Sequence, residues 1–196
     1  MENFILVGQP GTGVREAGLG KKIKSIKFLS HLSNYDLYYG KVETLPDWVK
    51  LPENSWAYDM HGFYDEKEIQ EALSSLEIPS FVLSYVPNNG KKAQSAAETS
   101  AKNSQTFVLV YSKNDKANFL AWLRNNEYNP IGLVDDQNLN CKLVTDKGFQ
   151  AIHCNMYTDP EFKEEDTKAT KDNSFINLAE NTTDLISLLS GKLTTE

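Results

Sequence analysis

Apolar side chains recur along this chain with two different periods. Between Asp65 and Glu77, residues Ile69, Ala72, Leu73 and Leu76 fall at i, i+3, i+4 and i+7, the spacing of one helical face. Asp65 with Glu68 forms an N-terminal capping pair, and Pro79 stops the helix. The run from Ser80 to Val86 is short, almost wholly apolar and of strand length, and Pro87-Asn88-Asn89-Gly90 then makes a turn. A second helix is predicted over 91–102, where Ala93, Ala96, Ala97 and Ala101 make a face thin enough to lie close on a sheet. A strand follows at 106–111. A third helix opens at Ser112-Lys-Asn-Asp115 and carries Phe119, Leu120, Trp122 and Leu123, and a third buried run, Pro130–Val134, ends in Asp135-Asp136.

Such alternation of strand and helix is the pattern of parallel strands joined by crossover helices. Continuous apolar runs at 81–86 and 106–111 suit strands covered on both faces. Phe4–Val7 reads as a further strand of the same sheet. Residues 24–29 and 35–45 alternate more openly, as half-exposed strands do, and 142–145 and 151–157 read as late strands. Thr183–Ser190, with Gly191 beyond, closes the chain as a helix. The expectation is therefore an α/β fold. It is a single domain over 1–196 with a mixed sheet, a parallel βαβαβ core at about residues 79–136 flanked by helices, and extra strands from 24–45 and 142–157. The polar stretch 158–174 is expected to be an exposed, mobile loop.

Composition narrows the classes of function. The 196 residues include 27 acids against 20 bases, a net charge of −7, which makes the chain a poor binder of nucleic-acid phosphates. No run reaches the roughly 18–20 apolar residues that span a bilayer, and the first residues lack the pattern of a signal peptide. Only Cys141 and Cys154 are present, too few for a disulfide framework or a cysteine zinc site. A cytoplasmic protein with neither a nucleic-acid nor a membrane partner is expected. The charge is also polarised: residues 1–30 hold five bases against two acids, and 159–184 hold eight acids against three bases.

Chemistry is suggested at four places. After the first strand comes Gly8-Gln-Pro-Gly11-Thr12-Gly13, which resembles the Walker A loop of AAA+-type ATPases. The resemblance implies a backbone cradle for phosphate. Val14 and Arg15 stand where that loop has its lysine and its serine or threonine, so the hydrolase residues are absent. Tested against the dinucleotide fingerprint, the same glycines fail at Glu16, where the third glycine belongs.

Secondly, ligands of open α/β sheets bind beyond the carboxyl ends of parallel strands. If the strands were parallel and adjacent, one edge would gather Gly11, Thr12, Gly13, Arg15, Asn88, Asn89, Ser112 and Asp135. The run Ile-Gly-Leu-Val-Asp135-Asp136 has the form that holds magnesium beside a phosphate. Thirdly, Asp59 and His61 suit a carboxylate-oriented base, whereas His31, His61 and His153 share no local metal spacing, and no metal-ligating residues are assigned. Fourthly, aromatics crowd between residues 35 and 64; Tyr38, Tyr39, Trp48, Trp56 and Tyr64 suit a protein-binding face.

With no complete catalytic constellation, the residues favour a non-enzymatic, acidic binding protein of inhibitor, immunity or antagonist type that sequesters or blocks a protein partner. The alternative is an enzyme or sensor for a nucleotide-like or phosphorylated small ligand, with magnesium as its only expected cofactor, held at the carboxyl edge of the parallel strands.

Overall fold

The structure is a computed structural model that describes residues 4–11, 32, 34–59, 66–86, 90–112, 115–155, 161, 164 and 177–191. In chain order the elements are β1 (Phe4–Pro10), β2 (Tyr35–Lys41), β3 (Trp56–Tyr58), α1 (Glu66–Ser75), β4 (Ser80–Tyr85), α2 (Gly90–Lys102), β5 (Phe107–Val110), α3 (Asp115–Asn125), β6 (Gly132–Asp135), α4 (Asn138–Asp146), β7 (Gln150–Cys154), β8 (Leu178–Ala179) and α5 (Thr182–Leu189). The fold is α/β with mixed strand directions, and the expected helices and core strands are present. No helix among the described residues is long and apolar enough to cross a membrane.

Two compact units divide the chain. Unit 1 comprises Met1–Pro52 and Phe81–Tyr128; unit 2 comprises Glu53–Ser80 and Asn129–Glu196. In unit 1 the strand order is β2-β1-β5-β4. Strands β4 and β5 are parallel, with Leu83 opposite Val108, while β1 is antiparallel to both β2 and β5. Leu6, Val7, Val82, Leu83, Val108 and Leu109 are fully buried, as their unbroken apolar runs require. Each such side chain contributes about 1.5–3 kcal/mol by leaving water. Helix α2 buries Ala93, Ala97 and Ser100, and its small side chains let it lie close to β1 and β5.

In unit 2 the order is β3-β6-β7-β8, every pair parallel. Helix α4 packs on β6 and β7, and α5 packs on β7, β8 and α1. The residues expected as a strand at 142–145 lie inside α4. Local composition there suits a strand, but Asn138, Cys141 and Val144 are buried at intervals of three, and that face is what β6 and β7 cover. The strand expected across 35–45 ends at Lys41 and tightens into a 3-10 turn over Val42–Thr44. Residues 24–29, and nearly all of 158–174, lie outside the described residues.

Helices α1 to α4 end alike. Glu77, Ser104, Glu127 and Gly148 have φ of 56°, 55°, 67° and 91°, and the next residue's N–H reaches back to a carbonyl five positions earlier, as Ile78 does to Leu73 at 2.9 Å. Turns of this kind send the chain straight from helix to strand in both units.

One glycine is required by close approach. A Cβ on Gly132 would fall onto the Gln150 backbone carbonyl and the Trp56 ring. Gly132→Ala is expected to destabilise the protein by about 1–3 kcal/mol, as overpacking does, and urea unfolding checks this. An unchanged midpoint would show that β3, β6 and β7 are spaced more widely than described.

Candidate metal centre

Strands β3 and β6 are two short apolar runs that each lead into an acid. Because they pair in parallel, Tyr58 opposite Val134, their carboxyl ends share an edge. Asp59 leaves β3 there, its N–H donating to the Val134 carbonyl at 3.1 Å. Asp135 ends β6 and Asp136 follows it. The three carboxylates each present an oxygen within 4.8 Å of the others, and all three residues are buried, with exposures of 6%, 0% and 1%.

Three carboxylates at that spacing repel one another. At an effective dielectric of about 20, each pair of unit charges costs roughly 3–4 kcal/mol. Burial weakens water's screening, so a cation bound among the three carboxylates would be strongly favoured by their charge. Hard oxygen donors suit magnesium or calcium. Two ligand oxygens of one cation lie at most about 4.2 Å apart around magnesium and about 5 Å apart around calcium, so the spread fits calcium as it stands and magnesium after small rotations.

The surroundings hold the cluster in place. Asp135 Oδ1 accepts the Gln137 backbone N–H at 2.8 Å, and the Asn140 amide donates to the same carboxylate at 3.3 Å. His153 pairs in register with Asp135 and is fully buried. Its Nε2 lies 3.2 Å from the Asp136 carbonyl, an acceptor, so Nε2 carries the proton in this pairing. Burial pushes the Cys154 thiol far up from its ordinary value, and the charges of Asp135 and Asp136 push it further. Cys154 is thereby kept from acting as a thiolate nucleophile. Cys141 is also buried, its thiol facing the Asp135 and Ile152 carbonyls at 3.9 and 3.7 Å.

Of the ligand edge expected from sequence, Asp135 meets Asp136 and Asp59. Gly11 and Ser112 do not share an edge: β1 runs against β5, with Gly8 opposite Phe107 and Ile5 opposite Val110, so Gly11 lies towards the start of β5 and Ser112 follows its end. The Gly11 N–H is spent on the Asn34 carbonyl at 2.7 Å, which extends the β1–β2 pairing. Thr12, Gly13, Arg15, Asn88 and Asn89 lie outside the described residues, as do Tyr64, His31 and His61.

Among the aromatics, Trp56 and Tyr38 are interior, 3% and 6% exposed. Tyr38 donates its hydroxyl inward, to the Lys41 carbonyl at 3.0 Å. Tyr39 and Trp48 are half-buried. Tyr39 stacks on Phe4 and meets Tyr111 edge-on, and the Trp48 carbonyl accepts from the Gln9 amide at 2.9 Å.

Asp59 is the member of the cluster that sequence reasoning assigned elsewhere, to a base with His61. The signal was present: Trp56-Ala-Tyr-Asp59 repeats, in shorter form, the apolar run ending in acid at Gly132–Asp136. No protein-family model, curated protein or solved structure matches this chain.

Proposed function

We propose that unit 2 is a divalent-cation-dependent recognition site for a phosphoryl group carried by a small ligand. The observation that carries this reading is the convergence of buried Asp59, Asp135 and Asp136 at the carboxyl ends of adjacent parallel strands. Magnesium is characteristically held by one or two carboxylates while phosphate oxygens complete its shell, which is what a partial carboxylate cage leaves room for. Carboxyl strand ends are also where open α/β sheets take their ligands.

Asp135, tied to Gln137 and Asn140, together with adjacent Asp136 suits the anchoring of the cation. Asp59 approaches from the neighbouring strand and supplies either a third ligand or a carboxylate nucleophile. As nucleophile, its oxygen would form a bond to phosphorus while the bond to the donor's leaving oxygen breaks, and the leaving group would keep the electron pair. The competing expectation, an antagonist acting through an aromatic face, draws less support because Tyr38 and Trp56 are interior.

Calorimetric titration of chelator-treated full-length protein with magnesium and calcium tests the reading, followed by inorganic phosphate with and without the cation. Saturable cation binding that Asp136→Asn removes, and phosphate binding only when the cation is present, are the expected results. Incubation with acetyl phosphate and intact-mass measurement then separates Asp59's two roles: a single phosphoryl adduct lost in Asp59→Asn marks the nucleophile. Absence of cation binding at millimolar concentration would overturn the proposal.

A further inference from the structure

Unit 1 carries a groove of about 480 Å³, within the range of ligand-binding clefts. One wall is the 3-10 turn and the loop after it, with Glu43, Pro46, Asp47 and Lys50; the other is the last turn of α3 and the residues that follow it, with Trp122 and Tyr128. The loop wall is pinned. Gln9 of β1 donates its amide to the Trp48 carbonyl at 2.9 Å and accepts the Lys50 N–H at 2.8 Å, and the Val49 N–H closes a turn onto the Pro46 carbonyl at 3.0 Å. A pre-ordered wall loses little entropy when a ligand arrives.

We infer that this groove binds the guanidinium group of an arginine in a peptide segment of a protein partner. Three independent features favour a planar cation. The first is aromatic: Trp122 stacks with Phe119 at 6.1 Å and 16° and with Tyr128 at 6.4 Å and 25°, and the half-buried Trp122 and Tyr128 both reach the groove. Indole and phenol faces attract cations, and guanidinium, being flat and weakly hydrated, stacks on them better than ammonium does.

The second feature is charge. Exposed Glu43 and Asp47 outnumber Lys50, the one basic residue of the lining, and a carboxylate offers guanidinium a two-pronged hydrogen bond. The third is the position of the groove at the carboxyl end of α3, where the helix presents the negative end of its dipole. The volume exceeds what one guanidinium fills, so residues flanking the arginine are accommodated too.

Calorimetry on the full chain tests this with a capped Gly-Arg-Gly peptide, the same peptide with neutral citrulline in place of arginine, and capped arginine alone. The arginine peptide is expected to bind about tenfold more tightly than the citrulline peptide. Glu43→Gln with Asp47→Asn, both at exposed positions, is expected to weaken it about tenfold and to flatten its salt dependence; Trp122→Leu is expected to weaken it without changing the salt dependence. Equal affinity for the citrulline peptide, or no binding of the arginine peptide, would overturn the inference. Capped arginine binding as tightly as the peptide would overturn the peptide as the source of the cation.

Discussion

Chelator-treated protein is expected to melt about 5–10 °C higher once magnesium or calcium reaches about a hundred times its dissociation constant. A ligand that binds only the folded state stabilises it by about 2.7 kcal/mol at that excess, and a chain of this size gains roughly 2–4 °C per kcal/mol. The reason for expecting selective binding to the folded state is geometric. Asp59, Asp135 and Asp136 meet only because β3 and β6 pair in parallel; in the unfolded chain the first is far from the other two. Differential scanning calorimetry with each cation, and with sodium at matched ionic strength, checks the expectation. A shift equal to that produced by sodium would mean simple screening of surface charge.

Neutralising one member of the cluster is expected to act in the opposite sense on two readouts. Each carboxylate faces two others within 4.8 Å, so Asp59→Asn or Asp136→Asn removes two of the three repulsions. Hydrogen bonds and small rearrangements around the carboxylates offset part of this repulsion, and the net gain is therefore expected to be about 1–3 kcal/mol rather than the full Coulomb sum. In chelator either variant should melt above the wild type; with cation present Asp136→Asn, which removes an anchoring ligand, should show almost none of the wild-type increase. Asp115→Asn serves as the contrast, since Asp115 is equally buried but belongs to unit 1, and its cation response should be that of the wild type. A variant destabilised in chelator with its cation response intact would indicate that the carboxylates are held by hydrogen bonds alone.

Much of the local structure was legible in the sequence. Ile69, Ala72 and Leu73 lie buried on α1, and the unbroken apolar runs around Leu83 and Val108 became buried parallel strands. Helix α4 was misread because Leu143-Val144-Thr145 suits a strand when viewed over a few residues, whereas its helical face becomes apparent only over Asn138 to Val144. Strands β3 and β8, three and two residues long, are too short to show any period.

Direction and neighbourhood were a different matter. An apolar run reads the same whether its strand lies parallel or antiparallel to the next, so Phe4–Val7 carried no mark of running against β5. That single reversal separates Gly11 from Ser112 and dismantles the expected ligand edge. Asp135 and Asp136 were suspected as magnesium ligands from their place after a buried run. Asp59 was not joined to them, because nothing local tells a strand which partner will lie beside it.

By itself the sequence determined the class of fold, four of the five described helices, most core strands, and the acid-terminated runs from which a metal centre can be built. Only the tertiary structure decided that β3 lies parallel to β6, with β7 on the other side of β6, and that three acids from two distant segments share one buried corner. The physical reason is that periodicity is set by the geometry of a single element, whereas convergence is set by pairing between elements, where hydrogen-bond direction and burial choose among arrangements that look alike along the chain.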